Sequence, residues 1–416
     1  MNKKVLIICD LFPPAFGPRM GYLVKYLTAF GWDSVVITEK IKDSTYSFMI
    51  DAGKTHDIDF YKNNRFKKIK WLFVFLSDLF FKYKSRIVYR EAIRILKKDS
   101  FDLILCSSYR TFPLPAALMT ARKAGLPLVT DLRDIIEQYP RNEFFTSYIP
   151  PIPIIKDWFI ALFKKLSIQE RNRVLKASDW VTTVSEWHKQ LLCQYNPNVS
   201  LIYNGFDPEL FYPAPTPASQ FLITYTGRLH SLEMQDPCLF FKAVKRLTDD
   251  KIITPERCRL VWYVDAHSAE LLKVQGKKYG LDEYMDIRNY VPAECIPKIL
   301  NRSSILLLLT NVAGEKGPNG IMGTKTFEYL AVQKPILCVR SDEDCLEKFM
   351  QETNAGLAAR REEEVYDFIK NYLERWEKEG FTQSDTGNDQ LVRYSRKEQA
   401  LQFIRIFEGV LSQRNG

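Results

Sequence analysis

The stretch GIMGTKTFEYLAVQKPIL, residues 320–337, decides the fold class of this chain. An apolar run at residues 305–309 precedes it, and Gly314, Gly317, Gly320 and Gly323 form a glycine-rich loop before Lys325. A strand, a loop and a helix in this order predict an α/β protein with parallel sheets. Backbone N–H groups at the start of such a helix favour a bound anion such as phosphate.

Two charged residues of this stretch indicate the kind of anion. Lys325 adds a full positive charge at the loop, and Glu328 follows it by three residues, on nearly the same helix face. A carboxylate beside a phosphate site suits sugar hydroxyls. Phosphate and hydroxyls together indicate a nucleotide or a nucleotide sugar.

Two other interpretations of the stretch remain open. A P-loop ATPase requires Gly-Lys directly followed by Ser or Thr, but here Thr324 lies between Gly323 and Lys325. The second interpretation is an ordinary structural loop, with Glu328 on a solvated helix face.

Length and composition predict a two-domain globular protein. The chain has 416 residues, of which 46% are hydrophobic, enough for two separate cores. Its eight cysteines form no Cys-x-x-Cys pair, which is typical of reduced thiols in the cytoplasm. Its four histidines show no ligand spacing, so no metal site is predicted. The opening MNKKVLIICD is predicted to be a first strand and not a signal peptide, because Asp10 ends its short apolar run.

The positive charge is concentrated in one segment. The chain carries a net charge of +9, and residues 62–98 alone hold twelve Lys/Arg against Asp78 and Glu91. One local patch favours a specific anionic surface over general nucleic-acid binding. Segments 66–81 and 144–165 are rich in aromatic and apolar residues, and the apolar core of the first, residues 71–81, is shorter than the stretch of about 20 apolar residues that spans a bilayer. They indicate peripheral attachment to an anionic membrane, with buried core helices as the alternative.

Short apolar runs alternate with helical segments along the whole chain, which predicts parallel sheets covered by helices. The proline-rich segment 208–217 is the best candidate linker. The predicted strands are residues 5–9, 34–38, 103–107, 128–131, 180–184, 200–203, 222–226, 259–264, 304–309 and 335–339.

Six motifs occur in an order that resembles glycosyltransferase family 4, retaining enzymes of GT-B fold that use nucleotide-sugar donors. They span nearly the whole chain. The motifs are FPPAFG (12–17), DLRD (131–134), ASD leading into VS (177–185), NGFD (204–207), TGRL (226–229) and KTFEYLA followed by Pro335 (325–335).

The resemblance implies two Rossmann-like parallel-sheet domains that face each other across a cleft. We expect residues 1–206 to form the domain on the acceptor and membrane side. Residues 207–390 are expected to form the domain that binds the nucleotide sugar. The last segment, 391–416, is expected to pack back on the N-terminal domain as a helix.

The resemblance also implies roles for individual residues. Arg228, Lys325 and Asp134 are the expected catalytic residues, the two cations acting on the leaving diphosphate. Arg133 and Asn204 are expected near the acceptor. A family glutamate is replaced here by Gly320, and the lysine that often follows GRL is missing, so Lys325 is expected to supply that charge. The expected donor-binding residues are Gly17, Gly227, Arg228, Gly323, Thr324, Lys325, Thr326 and Glu328.

The sequence therefore predicts a metal-independent retaining glycosyltransferase with no cofactor, in which the nucleotide sugar is a substrate. Its expected partners are a nucleotide-sugar donor, a glycan or lipid-linked saccharide acceptor and an anionic membrane surface, with no nucleic acid. The expected location is the cytoplasmic face of the cell membrane, in polysaccharide, O-antigen or capsule biosynthesis. Three alternatives remain: a soluble acceptor, a nucleotide-sugar epimerase of the same fold, or an inactive scaffold in a polysaccharide assembly complex.

Overall fold

The chain folds into two compact units. The first unit comprises Met1–Tyr203 together with Arg396–Gly416, and the second comprises Asn204–Ser395. The computed structural model describes residues 2–42, 46–49, 53–61, 67–138, 156–214, 216–232, 234–310, 320–339 and 345–415. The sequence placed the first boundary after residue 206 and the start of the final segment at residue 391. The structural divisions fall after Tyr203 and after Ser395.

The first unit is built on a seven-stranded sheet in the order β3-β2-β1-β4-β5-β6-β7, in which every neighbouring pair is parallel. Apolar side chains fill both faces of the sheet, because its central strands are buried throughout. The strands are β1 (Lys3–Cys9), β2 (Trp32–Glu39), β3 (Lys54–Ile58), β4 (Leu103–Ser108), β5 (Leu128–Leu132), β6 (Trp180–Thr183) and β7 (Val199–Leu201).

Helices cover the two faces of this sheet. Helix α4 ends at Gly125, whose φ of 68° is the left-handed conformation that terminates many helices. The final helix, α14, contributes Phe403 and Phe407 to the core beside β1. The helices of the first unit are α1 (Pro18–Ala29), α2 (Lys67–Phe81), α3 (Tyr83–Leu96), α4 (Leu114–Ala124), α5 (Lys156–Ala177), α6 (Glu186–Leu192) and α14 (Arg396–Asn415).

The second unit repeats this architecture with a six-stranded parallel sheet in the order β10-β9-β8-β11-β12-β13. Its core lies around Phe240, Phe241 and Trp262. The strands are β8 (Phe221–Thr226), β9 (Cys258–Tyr263), β10 (Met285–Arg288), β11 (Ile305–Leu309), β12 (Ile336–Val339) and β13 (Gly356–Ala359). The helices are α7 (Cys238–Asp249), α8 (Ala266–Tyr279), α9 (Ile296–Arg302), α10 (Thr324–Ala331), α11 (Cys345–Thr353), α12 (Glu362–Glu379) and α13 (Asn388–Arg393).

The predicted α/β class with two parallel sheets is confirmed. The three strands that the sequence did not predict, β3, β10 and β13, each lie at the edge of a sheet. An edge strand has one neighbour and less burial, so it does not need the continuous apolar run that marks a central strand.

Some predicted features fall outside the described residues. These are Gly314 and Gly317 of the glycine-rich loop, the linker position Pro215, and residues 144–155 of the second aromatic segment. Within the described residues, none of the helices combines the length and the apolar character that crossing a membrane requires.

Candidate functional site

The predicted donor residues of the second unit gather at one edge of its sheet. Gly227 and Arg228 directly follow β8, and Asp265 lies just beyond β9. Parallel strands place their carboxyl ends at the same edge, where ligands of open α/β sheets bind. Helix α10, which carries Lys325 and Glu328, begins beside the same edge.

Gly227 and Lys325 are in direct contact. A Cβ atom added to Gly227 would lie 2.7 Å from the Lys325 Nζ, and the φ of Gly227 is 115°, which other residues rarely adopt. Glycine at position 227 therefore lets the ammonium group lie against the backbone. In contrast, a Cβ at Gly323 would meet no atom within 4 Å, so space does not require glycine there.

The Lys325 ammonium group is held in a partly dehydrated position. Its Nζ lies 4.1 Å from the centre of the Tyr225 ring, a cation–π contact. Burial lowers the pKa of Lys325 to about 8, although the nearby Glu328 carboxylate opposes this shift. An anion bound beside Lys325 would raise this pKa again, because it stabilises the charged form of the lysine.

Helix α10 is fixed to the end of β8 by its own side chains. The Tyr329 hydroxyl accepts a hydrogen bond from the Thr226 backbone N–H at 3.2 Å and lies 3.0 Å from the Thr226 hydroxyl. Phe327 is fully buried against Phe349. No side chain caps the N-terminus of the helix at Gly323. The first turn of α10, with Thr324 and Thr326, is thus fixed in place. Its N-cap residue, Gly323, has no side chain that could bond to the backbone N–H groups at the start of the helix.

Arg228 is held by a carboxylate and remains largely exposed. Its Nε donates to Asp265 Oδ2 at 2.7 Å, and 57% of its side chain is exposed. Asp265 also accepts a hydrogen bond from the Ser268 backbone N–H at 2.9 Å. The bonds from Ser268 and Arg228 lower the pKa of Asp265 to about 2, so this carboxylate is ionised and orients the guanidinium group.

His230 extends the same cluster of positive groups. Burial lowers its pKa, and the charges of Arg228 and Lys325 lower it further. Three cationic or protonatable groups at one sheet edge form a site that suits an anion. Nearby, Asn204 donates from its Nδ2 to the Met322 carbonyl at 3.1 Å, in the loop that leads into α10.

In the first unit, Arg133 and Asp134 follow β5, and Asp10 follows β1. An Arg133 Nη2 donates to the Asp10 carboxylate, which also accepts from the Tyr109 backbone N–H at 3.2 Å. The salt bridge of Arg133 thus runs to Asp10. Burial raises the pKa of Asp10, against the effect of Arg133.

Asp134 is half-buried beside this ion pair. Burial raises the pKa of Asp134 to about 6, although Arg133 and a hydrogen bond from the Gln138 side chain both lower it. A carboxyl group with this pKa is mostly ionised at neutral pH and stays close to its titration range. Such a group is suited to accepting a hydrogen bond or a proton from a substrate hydroxyl.

Gly17 has a structural reason to be glycine. A Cβ there would lie 2.7 Å from the Phe12 Cα and 2.8 Å from the Leu11 carbonyl oxygen. The close turn before α1 therefore excludes any side chain. Its expected role at the diphosphate stays a prediction.

The sequence profile of Glycosyltransferase Family 4 matches residues 19–210. Residues 19–210, a little under half of the chain, are therefore similar to a glycosyltransferase family 4 domain. Sucrose-phosphate synthase from Thermosynechococcus elongatus is 14% identical, with a TM-score of 0.67 and coverage of 99% of this chain and 100% of that one. Anabaena HepE in complex with UDP is 13% identical, with a TM-score of 0.64 and coverage of 98% and 100%.

The lipopolysaccharide outer core galactosyltransferase WaaB, in its apo form, is 13% identical with a TM-score of 0.57 and coverage of 99% of each chain. No curated protein matches the sequence. The family match and these structures confirm the predicted GT-B fold and the assignment to the glycosyltransferases.

Several groups at these sites were not predicted from the sequence. Asp10, Tyr225, His230 and Asp265 all contact or face a predicted residue. Asp10 directly follows β1, and one residue separates Asp265 from the end of β9. A carboxylate just after an apolar run is a pattern that could have been found in the sequence. Among the residues that the structure describes, no three His, Cys, Asp or Glu side chains are grouped so that they could hold a metal ion.

Proposed function

We propose that this glycosyltransferase transfers a sugar, with retention, from a nucleotide-sugar donor to a lipid-linked glycan acceptor in cell-surface polysaccharide biosynthesis. The observation that carries the proposal is the position of the Lys325 ammonium group against Gly227, next to Arg228. A half-buried cation beside an exposed guanidinium group is a site for a diphosphate. HepE, a structural neighbour, was solved with UDP.

In this proposal the two cations act on the leaving group. The bond between the anomeric carbon and the diphosphate oxygen breaks, and a bond forms from that carbon to the acceptor oxygen. The acceptor hydroxyl gives its proton to the Asp134 carboxylate, and negative charge develops on the leaving diphosphate. Lys325 and Arg228 stabilise that charge because they are already in place before the reaction.

We propose that no metal is needed, since the two cations neutralise the diphosphate. Glu328 is the proposed ligand of the ribose hydroxyls, by its resemblance to the family. Thr324, Thr326 and Gly323 bring the N-terminus of α10 to the phosphates. In the first unit, Asp134 and Arg133 are proposed to position the acceptor hydroxyl.

The proposed membrane attachment is supported by two exposed apolar stripes on the first unit. Phe73, Leu76 and Phe80 lie at helical spacing on α2, and Trp158, Leu162 and Leu166 do so on α5. The exposed fractions of Phe73, Phe80 and Trp158 are 64%, 71% and 69%. Large apolar side chains exposed in this pattern mark an interaction surface.

The two helices that carry these stripes are in contact with each other. Phe75 of α2 lies 6.4 Å, between ring centres, from Phe163 of α5 and packs against it, so other faces of the helices are joined. The exposed Arg86 and Arg90 lie one turn apart on α3, which follows α2 directly. Apolar stripes beside basic residues suit the headgroup region of an anionic membrane. We therefore propose that α2 and α5 bring the protein to a lipid-linked acceptor at the cytoplasmic face.

Replacing Glu328 with alanine is expected to weaken donor binding by about 10–100-fold, since hydrogen bonds to a charged group contribute about 1.5–3 kcal/mol. Calorimetry with the preferred nucleotide sugar measures this. Glu270→Ala on α8 is the matched control, because Glu270 is exposed and pairs with Lys273. Equal donor affinity in Glu328→Ala and wild type would remove Glu328 from the donor site.

A panel of UDP-, GDP- and TDP-sugars tests the proposed function. We expect one donor class to raise the melting temperature, because a ligand that binds only the folded state stabilises it. In EDTA, wild-type protein should then release the nucleoside diphosphate from that donor and transfer its sugar to a lipid-linked acceptor. An epimerised donor as the sole product would favour the epimerase, and binding without cleavage would favour the scaffold. Loss of activity in EDTA, restored by Mg²⁺ or Mn²⁺, would contradict metal independence.

A further inference from the structure

The segment that follows β5, residues 133–138, is linked by a hydrogen bond to His188, which is fully buried. Gln138 is buried, and its Oε1 lies 2.8 Å from the Nε2 of His188 on α6. The other ring nitrogen of His188, Nδ1, lies 3.2 Å from the Thr183 hydroxyl at the end of β6. The Gln138 side chain also donates a hydrogen bond to the Asp134 carboxyl group. His188, Gln138 and Asp134 thus form one continuous chain of hydrogen bonds.

The chemistry of the groups fixes the direction of this chain. An ionised carboxylate only accepts hydrogen bonds, so Gln138 must turn its NH2 group toward Asp134. Its Oε1 then faces His188 and needs a donor, so the His188 proton must lie on Nε2. Burial and the nearby Arg171 lower the pKa of His188 to about 3, so the ring is neutral and its Nδ1 carries no proton. The Thr183 hydroxyl has a single proton and lies between two acceptors, this Nδ1 at 3.2 Å and the Leu132 carbonyl oxygen at 3.0 Å.

The same segment is fixed at two further points. Arg171 of α5 donates to both Glu137 carboxylate oxygens, at 2.5 and 2.6 Å, and is fully buried. Arg133 donates to Asp10. The charged groups that act on Asp134 are Arg133 and Asp10, and the one that acts on His188 is Arg171. The segment is therefore held at two points besides its link to His188.

We propose that Gln138 and His188 are positioning residues that hold the Asp134 carboxylate as a hydrogen-bond acceptor for the hydroxyl of the incoming acceptor. This inference rests on the proposed function, in which Asp134 contacts that hydroxyl. Neither Gln138 nor His188 touches substrate. His188 fixes the direction of the Gln138 amide, and the amide holds one carboxylate oxygen in its ionised form.

The test follows the titration of Asp134 in two ways. The first is the pH dependence of kcat/KM for sugar transfer, and the second is the 13C NMR titration of aspartate labelled at Cγ, assigned with Asp134→Asn. Gln138→Leu removes the hydrogen bond to the carboxylate, so we expect the Asp134 pKa and the acidic limb of the profile to move to higher pH. We expect kcat/KM to fall about tenfold at pH 6 and less at pH 8, since a hydrogen bond to a charged group changes the equilibrium by about this factor or more.

Substitutions at His188 separate positioning from folding. His188→Leu leaves the Gln138 amide without a donor and should move the profile in the same direction. His188→Gln keeps an N–H near the Nε2 position and should return the profile toward wild type. Ser185→Ala is the control, because the Ser185 hydroxyl accepts a hydrogen bond from the backbone N–H of His188, at 3.3 Å, and thereby caps α6. It should lower stability by about 1 kcal/mol and leave the profile unchanged.

The possible results separate the proposed link from the proposed function. An unchanged Asp134 titration in folded Gln138→Leu and His188→Leu overturns the proposal, and so does wild-type kcat in Asp134→Asn. If the wild-type protein cleaves no nucleotide sugar, the proposed function fails, while the NMR titration still tests the link from His188 to Asp134.

Discussion

Replacing Lys325 with methionine is expected to lower kcat by about 10²–10³-fold, as the loss of one oxyanion-stabilising group does in other enzymes. The ammonium group lies against Gly227 in a partly dehydrated position, where its charge acts strongly on the leaving diphosphate. Donor affinity should fall less than turnover, because the diphosphate charge is complete only late in the reaction. Arg228→Ala should have the same pattern with a smaller effect, since most of the Arg228 side chain is exposed.

A second buried lysine of the same unit provides the control. Lys334 is buried beside β12, and burial lowers its pKa to about 8 as it does for Lys325, but its Nζ donates to the Thr382 carbonyl at 3.1 Å. Lys334→Met should change stability and leave kcat near wild type. Wild-type kcat in both Lys325→Met and Arg228→Ala would refute the role of the two cations.

Replacing Phe73, Phe80 and Trp158 together with serine is expected to abolish binding to anionic liposomes. Each of these side chains is more than half exposed, so the folded state loses little packing. Burying one such side chain in a membrane contributes about 1.5–3 kcal/mol, so losing three should lower the partition coefficient by at least 10³-fold. Transfer to a lipid-linked acceptor should slow accordingly, while donor hydrolysis continues.

The control for this prediction lies on the other unit. Val274 and Val392 are also exposed apolar residues, each 65% exposed, and Val274→Ser with Val392→Ser should leave liposome sedimentation unchanged. High salt should weaken wild-type binding, because the basic contribution is screened within a Debye length of about 10 Å at 0.1 M. A folded triple variant that sediments as the wild type does would contradict membrane attachment through α2 and α5.

The sequence predicted the central strands because buried apolar runs are local signals. The sequence did not show which aromatic residues of α2 face the protein and which face solvent. Trp71 and Phe75 stack on each other 5.7 Å apart, and Phe75 packs on α5, whereas Phe73 and Phe80 point outward. Which side chains of α2 are covered depends on where α5 packs, and a local sequence pattern does not determine that position.

The hydrogen-bond partners of the predicted site residues could not be predicted from local sequence patterns either. The sequence singled out Arg228 and Arg133, but their carboxylate partners are Asp265 and Asp10, which come from other strand ends. His188 could be placed on a helix by its spacing, yet its link to Asp134 through Gln138 requires α6 to pack beside β5 and β6. Pairings between strand ends follow from strand order, and strand order is a property of the folded sheet.

The most direct test of the central claim is to count the protons that bind with the nucleoside diphosphate. Calorimetry at pH 8 in two buffers of different ionisation enthalpy, titrating the diphosphate product of the preferred donor, gives this number. Burial lowers the pKa of Lys325 to about 8, so part of the protein lacks this proton at pH 8, and the diphosphate should draw in a fraction of a proton. His230→Gln should keep this uptake, since the pKa of His230 lies below its ordinary value. Uptake in wild type that disappears in Lys325→Met is the predicted result, and diphosphate binding with equal proton uptake in both would contradict the account.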